Sequence, residues 1–244
     1  MKSSFPKVNP MGERAILIQF EPKISGITLQ KVLFIKGVIE EKFLKVAGEV
    51  ITSYSSLLVK YPVAIEDIYG EAERLEKVLE TANILEKNNS HIFYLPVCYE
   101  EEFGLDLEEI SARNSISKND IIRLHSQTVY TVYFTGFLPG FLYLGGLDER
   151  LHISRRKEPR LEVKKGAVGI GEKQTGIYPK TSPGGWQIIG NCPVELFQKE
   201  NNPPCQIMAG DKVKFVPVSK QDYEIISDEI AKGKYELKKE KLNG

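Results

Sequence analysis

Three segments between Gly136 and Trp186 hold residue types from which a small-ligand site could be built. The first is Gly136-Phe137-Leu138-Pro139-Gly140-Phe141-Leu142-Tyr143-Leu144. Glycine reaches backbone angles closed to other residues and proline fixes one, so this run predicts a rigid turn that holds Phe137, Phe141 and Tyr143 in a set relation. The second is Arg155-Arg156-Lys157-Glu158-Pro159-Arg160, with His152 just ahead of it. A guanidinium offers a planar fork of donors that matches carboxylate or phosphate, although a solvated loop is the plainer role for any single arginine here. The third joins Gln174-Thr175-Gly176-Ile177-Tyr178-Pro179 to Ser182-Pro183-Gly184-Gly185-Trp186, which carries the chain's one tryptophan. Polar side chains, glycine-exposed backbone and aromatic rings together suit a pocket with an apolar wall and a few fixed donors.

Other chemistries lack their signatures. Gly166-Ala-Val-Gly169-Ile-Gly171 has the wrong order for a dinucleotide fingerprint, no helix pattern opens after it, and no G-x-x-x-x-G-K-[ST] loop occurs. Cys98, Cys192 and Cys205 show no C-x-x-C spacing, and His91, His125 and His152 stand apart, so neither a disulfide framework nor a metal site is expected. No nucleophile–base pair falls at a recognisable spacing, and catalytic residues stay unassigned. His125 reads as a structural histidine with its hydrogen bonds satisfied. Two short helices within Asp106 to His125 have helix-turn-helix spacing, but the second offers only Lys118 and Arg123, beside Asp120. That is too little for phosphates and base edges, so a structural helical hairpin is expected and no nucleic-acid partner.

The elements that must position these segments fall into two groups. Arg14 to Phe20 predicts a strand. Ile27, Val32, Leu33, Ile35, Ile39, Phe43, Leu44 and Val46 recur at helical spacing up to Gly48. Glu49 to Tyr54 and Ser56 to Tyr61 predict a hairpin. Glu66 to Glu86 predicts a helix with Ile68, Leu75, Val78, Leu79, Ala82 and Leu85 on one side, and His91 to Tyr99 a closing strand. The order β-α-β-β-α-β is the ferredoxin-like, split βαβ arrangement. Beyond it, Asp106 with Glu109 and Ser117 with Asp120 have capping-box spacing. Thr128 to Thr135 and Asp211 to Val218 predict strands, and glycine and proline cluster from Gly136 to Pro204, as in a β-barrel with elaborate loops. The expected domains are residues 1–98 and residues 99–244, the latter ending in a loosely held polar tail.

The 244 residues are 41% hydrophobic and 27% charged, the balance of a folded globular chain. Lys plus Arg and Asp plus Glu both total 33. A zero net charge argues against holding nucleic acid or an anionic membrane by bulk charge. No run approaches 18 apolar residues and the opening Met-Lys-Ser-Ser-Phe-Pro-Lys lacks a secretory pattern, so no membrane association and a cytoplasmic location are expected.

Tyr133 to Leu144, Pro159-Arg160, Gly166 to Gly171, Gln174 to Pro179 and Ser182 to Gly190 together resemble the family of the bacterial 5-oxoprolinase B subunit. That family is also called allophanate hydrolase subunit 1 and includes the sporulation-kinase inhibitor KipI. The resemblance covers nearly the whole chain. It implies an α+β and β protein, with a ferredoxin-like N-terminal domain followed by a cyclophilin-like β-barrel. It further implies a hetero-oligomeric hydrolase that, with subunits of the A and C types, opens 5-oxo-L-proline to L-glutamate at the expense of ATP. The chain would not be active alone. Two alternatives come with the family: inhibition of a sensor histidine kinase, and a carboxyltransferase component acting on urea or a similar amide. The chain departs from the family pattern at Asn191-Cys192-Pro193, where Arg-Thr-Pro is usual, and at Gly171-Glu172-Lys173.

From these residues, Arg160, Gln174, Thr175, Tyr178, Ser182 and Trp186 are expected to converge on one substrate pocket. The turn with Phe137, Pro139, Gly140 and Phe141 would form its floor. Arg160 would hold a carboxylate or developing oxyanion, Gln174 and Thr175 would supply polar contacts, and Tyr178 and Trp186 would form apolar wall. The C-type subunit is expected to dock along the barrel, using aromatics of Gly136 to Leu147 and the basic run Arg155 to Arg160.

Overall fold

The structure is a computed structural model that describes residues 5–23, 25–43, 48–81 and 90–242. It divides into two compact units, Met1–Lys87 and Asn88–Gly244.

The first unit contains β1 (Lys7–Pro10), β2 (Ala15–Gln19), α1 (Gly26–Phe43), β3 (Glu49–Thr52), β4 (Ser56–Lys60) and α2 (Ile68–Thr81). Its sheet has the order β1-β2-β4-β3 with every pair antiparallel. β2 and β3 therefore run the same way on either side of β4, joined through α1, which is the split βαβ crossover. Alternation in the strands sends Ile16 and Ile18, with Leu57 and Val59, into one core with Val32, Ile35 and Ile39 of α1 and Leu75 of α2. Ile27, expected on the apolar face, is exposed. Leu44, Val46, Ala82 and Leu85, expected in the two helices, lie outside the described residues.

The closing strand expected for this sheet is not in it. His91–Cys98 (β5) belongs to the second unit, and β1 takes the outer place beside β2 instead. The unit boundary thus falls at residues 87 and 88 rather than 98 and 99. The reason is in the side chains: Ile92, Phe93, Leu95, Val97 and Cys98 are all buried, so both faces of β5 are covered. A half-exposed sheet edge does not cover both faces; a barrel wall does.

The second unit continues with α3 (Leu107–Asn114), α4 (Lys118–Gln127), β6 (Val129–Thr135), β7 (Leu142–Gly145), a 3-10 turn (Glu149–Leu151) and β8 (Arg160–Val163). After these come β9 (Ala167–Gly171), β10 (Gln174–Ile177), β11 (Ser182–Gly184), β12 (Gln187–Asn191), β13 (Lys212–Val218), α5 (Lys220–Ala231) and β14 (Lys239–Lys241). Seven strands close the expected barrel in the order β5-β12-β9-β10-β7-β6-β13 and back to β5. β13 pairs with β5 in parallel from Lys212 and Ile92 to Val218 and Cys98, and Asn191 opposite Cys98 completes the ring. Its interior holds Phe93, Leu95, Val132, Leu144, Val168, Ile170, Ile177 and Phe215. α4 packs Ile121, Leu124 and His125 inward and begins at Ser117, whose Oγ accepts the Asp120 N–H at 3.0 Å. β8 and β11 form a separate two-stranded arm.

The end of the chain is not the loose tail expected. β14 pairs with β5, the Tyr94 N–H donates to the Lys238 carbonyl at 3.0 Å, and the Leu242 N–H donates to that of Ser90 at 2.9 Å. Tyr235 and Leu237 pack on the barrel core. Main-chain hydrogen bonds to an open strand edge need no apolar side chains, so a Lys/Glu-rich segment supplies them as well as any other. α5 was not foreseen, although Ser219 and Asp222 have the spacing of a cap, and the Ser219 Oγ accepts the Asp222 N–H at 3.1 Å.

An aromatic slot on the barrel wall

On the outer face of β9 and β10 lies a second apolar cluster of Phe141, Val163, Ala167, Tyr178, Trp186 and Ile188. The Phe141 ring is its hub, edge-on to Tyr178 at 5.2 Å and to Trp186 at 5.4 Å, and 4.9 Å from Tyr143. Such T-shaped pairs set an edge of positive character against a negative face. The turn predicted around Pro139 positions the hub. Phe137 has φ 66°, Gly140 has φ 83°, and the Gly136 N–H donates to the Phe141 carbonyl at 3.2 Å. A side chain at Gly140 would meet Phe197 at 2.8 Å, so only glycine fits there.

Glycines make the wall flat enough for the indole. A Cβ at Gly171 would lie 2.6 Å from Trp186 Nε1, one at Gly176 3.1 Å from its ring, and one at Gly169 3.2 Å from Trp186 Cβ. Gly169 and Gly171 alternate along β9, and Gly176 is paired with Gly169, so the three form one bare patch under the tryptophan. The glycine-rich stretch is therefore a tryptophan seat inside a fully buried strand.

Above the cluster opens a slot of about 330 Å³ walled by Phe137, Phe141, Tyr143, Tyr178 and Trp186, with Arg155 at its side. The Arg155 guanidinium lies over the Trp186 ring at 5.8 Å. Among the described residues that guanidinium forms no ion pair; Glu172 accepts only the Arg155 backbone N–H, at 3.5 Å. Burial pushes the Tyr143 and Tyr178 phenols above their ordinary value, and the Arg155 charge pulls both back. Pro159 and the Pro183–Gly185 backbone close the rim.

The other expected site residues are placed elsewhere. Arg160 forms a two-pronged pair with Asp106, at 2.9 Å to Oδ2 and 2.6 Å to Oδ1. Asp106 is 3% exposed and also accepts from Arg156 Nη1 at 3.2 Å and from the Ile188 N–H at 2.5 Å. Asp106 thus does not cap α3 with its side chain, as its spacing with Glu109 suggested; two arginines and a strand amide hold it instead. Arg160 lines a different cavity, of about 440 Å³, with Leu105, Lys165, Asn191 and Tyr223. Thr175 is fully buried and points into the barrel. Its hydroxyl donates to the Gly169 carbonyl at 2.9 Å, so His125 Nε2–H donates to it at 2.9 Å, and His125 Nδ1 accepts the Tyr99 hydroxyl at 2.7 Å. Burial without a countercharge lowers the His125 pKa from 6.5 to about 3, so it is a neutral structural residue. Gln174 opens β10, and Ser182 opens β11 with its hydroxyl on the Pro183 carbonyl at 3.2 Å; neither lines the slot. Pro139 and Gly140 shape the turn without lining it.

Of the expected set, the structure brings together Tyr178, Trp186, Phe137 and Phe141. Arg155 and Tyr143 were not counted as site residues. Their signals were present, Arg155 in the basic run and Tyr143 in the aromatic turn, but the Asp106 carboxylate that takes Arg156 and Arg160 and leaves Arg155 without a carboxylate partner is visible only in three dimensions. Among the described residues no group of three or more His, Cys, Asp or Glu is placed to hold a metal ion. No described helix is long and apolar enough to cross a membrane.

The second unit is thus a closed barrel whose wall carries an aromatic slot with a cation at its side. Residues 6–207 match the family described as carboxyltransferase domain, subdomain C and D, and the chain belongs to that family. It is 37% identical over 234 residues to the 5-oxoprolinase B subunit of Bacillus subtilis, covering 91% of this chain and 97% of that one. Among solved structures it is similar to the conserved protein PH0987 of Pyrococcus horikoshii, with a TM-score of 0.53 and 38% identity over 89% of this chain and all of that one. It is also similar to TTHA0988, with a TM-score of 0.73 and 28% identity over 84% of this chain; it spans only 40% of that longer chain.

Proposed function

We propose that this chain is the B subunit of a 5-oxoprolinase, acting with subunits of the A and C types in the ATP-dependent opening of 5-oxo-L-proline to L-glutamate. The observation that carries the reading is the near full-length match to the Bacillus subtilis protein, 97% of its length. Opening a lactam requires water to add to the ring carbonyl, the C–N bond to break and the nitrogen to take a proton. The slot offers a flat apolar wall, a cation and two phenols, and its volume of about 330 Å³ suits a small ligand. Its lining contains no histidine, carboxylate, cysteine or serine side chain to activate water, which supports a base supplied by a partner subunit. The glycine-rich stretch is a buried barrel strand rather than a phosphate loop, so it is not a cradle for the nucleotide's phosphates.

The test is to purify the chain alone and with the two partner subunits, then follow complex formation on a sizing column and glutamate release. The expected result is a stable complex, burying more than about 1,000 Å² in total, that releases glutamate only with ATP. A complex without such turnover ends the reading. The family description favours one second reading, carboxyl transfer to a urea-like amide, which predicts transfer from a biotin-linked donor in the same preparations. Lowered autophosphorylation of a sensor histidine kinase by the chain alone would instead support an inhibitor.

A further inference from the structure

We infer that Arg155, and not Arg160, holds the anionic group of the ligand, and that the slot selects a small flat amide or lactam carrying one carboxylate. The inference rests on the small-amide reading above and adds the residue and the recognition rule. Of the arginines at the barrel wall, Arg160 and Arg156 are answered by the buried Asp106 carboxylate. A ligand carboxylate near Arg160 would meet Asp106 as a like charge, which is costly at low exposure. The larger cavity beside Arg160 is lined by Lys164 and Lys165 but also by Glu102 and Glu162, so an anion there meets charges of both signs.

Arg155 presents the opposite case. It forms no ion pair among the described residues, its guanidinium is laid over Trp186, and the slot beside it is otherwise aromatic. A guanidinium over the indole face with no carboxylate of its own keeps its fork of donors for a ligand carboxylate, which it can grip with two parallel hydrogen bonds. The Tyr178 and Trp186 rings stand nearly perpendicular to Phe141, at 89° and 84°, and all three rings line the slot. A ligand with a flat amide on the rings and a carboxylate at the rim satisfies both.

Trp186 is the chain's one tryptophan, so its fluorescence reports the slot directly. The full chain is titrated with 5-oxo-L-proline and with pyrrolidin-2-one, the same ring without the carboxylate. Wild type is compared with Arg155→Gln, Arg155→Lys and, as a control of equal charge change at an exposed residue outside the slot and the basic run, Lys234→Gln. The same variants are assembled with both partners for KM and kcat. Loss of a charged hydrogen bond weakens binding by about 10- to 100-fold, so pyrrolidin-2-one should bind that much more weakly than 5-oxo-L-proline. Arg155→Gln should remove this difference while leaving pyrrolidin-2-one unaffected, Arg155→Lys should restore part of it, and Lys234→Gln should match wild type. In the complex, KM should rise with kcat little changed.

Equal loss for both ligands in Arg155→Gln assigns Arg155 a structural role and overturns the inference. So does an unchanged KM together with wild-type binding, while the proposed function stands. If the assembled wild type releases no glutamate yet the carboxylate-dependent titration persists, the proposed function fails and the anion slot stands. If neither titration nor turnover responds to 5-oxo-L-proline, both fall.

Discussion

His125 shows how one buried side chain sets an acid limit. Its ring is held at both nitrogens, by Tyr99 and Thr175, and stacks 4.5 Å from Phe215. In the folded chain it takes a proton only near pH 3, against 6.5 for the ordinary residue. The unfolded state therefore binds more protons between these values, and stability must rise with pH through that window. The contribution is complete above pH 6.5 and is lost by about 1.4 kcal/mol per pH unit below it. Chemical denaturation between pH 4 and 7 should show a slope reduced by about one proton in His125→Gln; an unchanged slope would place the titration elsewhere. Asp106 makes a second prediction. Asp106→Ala strands the partly buried Arg160 and the Ile188 N–H and leaves Arg156 only Glu109 at 3.6 Å, and should cost about 3 kcal/mol of stability in denaturant melts. A cost below about 1 kcal/mol would mean the pair is solvated. Both residues mark what the chain discloses at this scale. His125 was legible as structural because no partner with base or metal spacing stood near it. Arg160 was not, because its partner lies 54 positions away and a distant carboxylate leaves no local trace.

At the level of elements, the glycines of β9 and β10 and the tryptophan of the loop before β12 act as one part. Gly171→Ala forces the indole off a wall it nearly touches, and should cost about 1–3 kcal/mol and shift the tryptophan emission to the red. Unchanged emission and stability would show that the seat yields freely. The clustering of Gly, Pro and aromatic residues was enough to place a rigid site on a barrel, since turn chemistry and flat packing both need those residue types. The assignment of β5 was not legible in the same way. Periodicity reports that a strand is buried, but not which sheet receives it, and two sheets competed for His91–Cys98. The edge place it was expected to take went to β1, whose four residues Lys7–Pro10 carry too little apolar pattern to announce a strand.

For the whole molecule, the two units have separate cores, one around Leu75 and Ile39, the other around Leu95 and Phe215. A fragment of residues 88–244 should therefore melt cooperatively and keep the emission of Trp186, whereas one starting at residue 99 loses β5 and should not fold. Cooperative melting of the shorter fragment would contradict the barrel order. The parallel pairing of β5 with β13 joins residues 91–98 to residues 212–218. A ribosome makes β5 early and must add more than a hundred further residues before its parallel neighbour β13 exists. All the described strands and helices of the first unit are by then complete, so that unit can fold while the barrel waits with an apolar strand unpaired. The interval between those two events is when this polypeptide is most open to chaperones, and to sticking to its own copies.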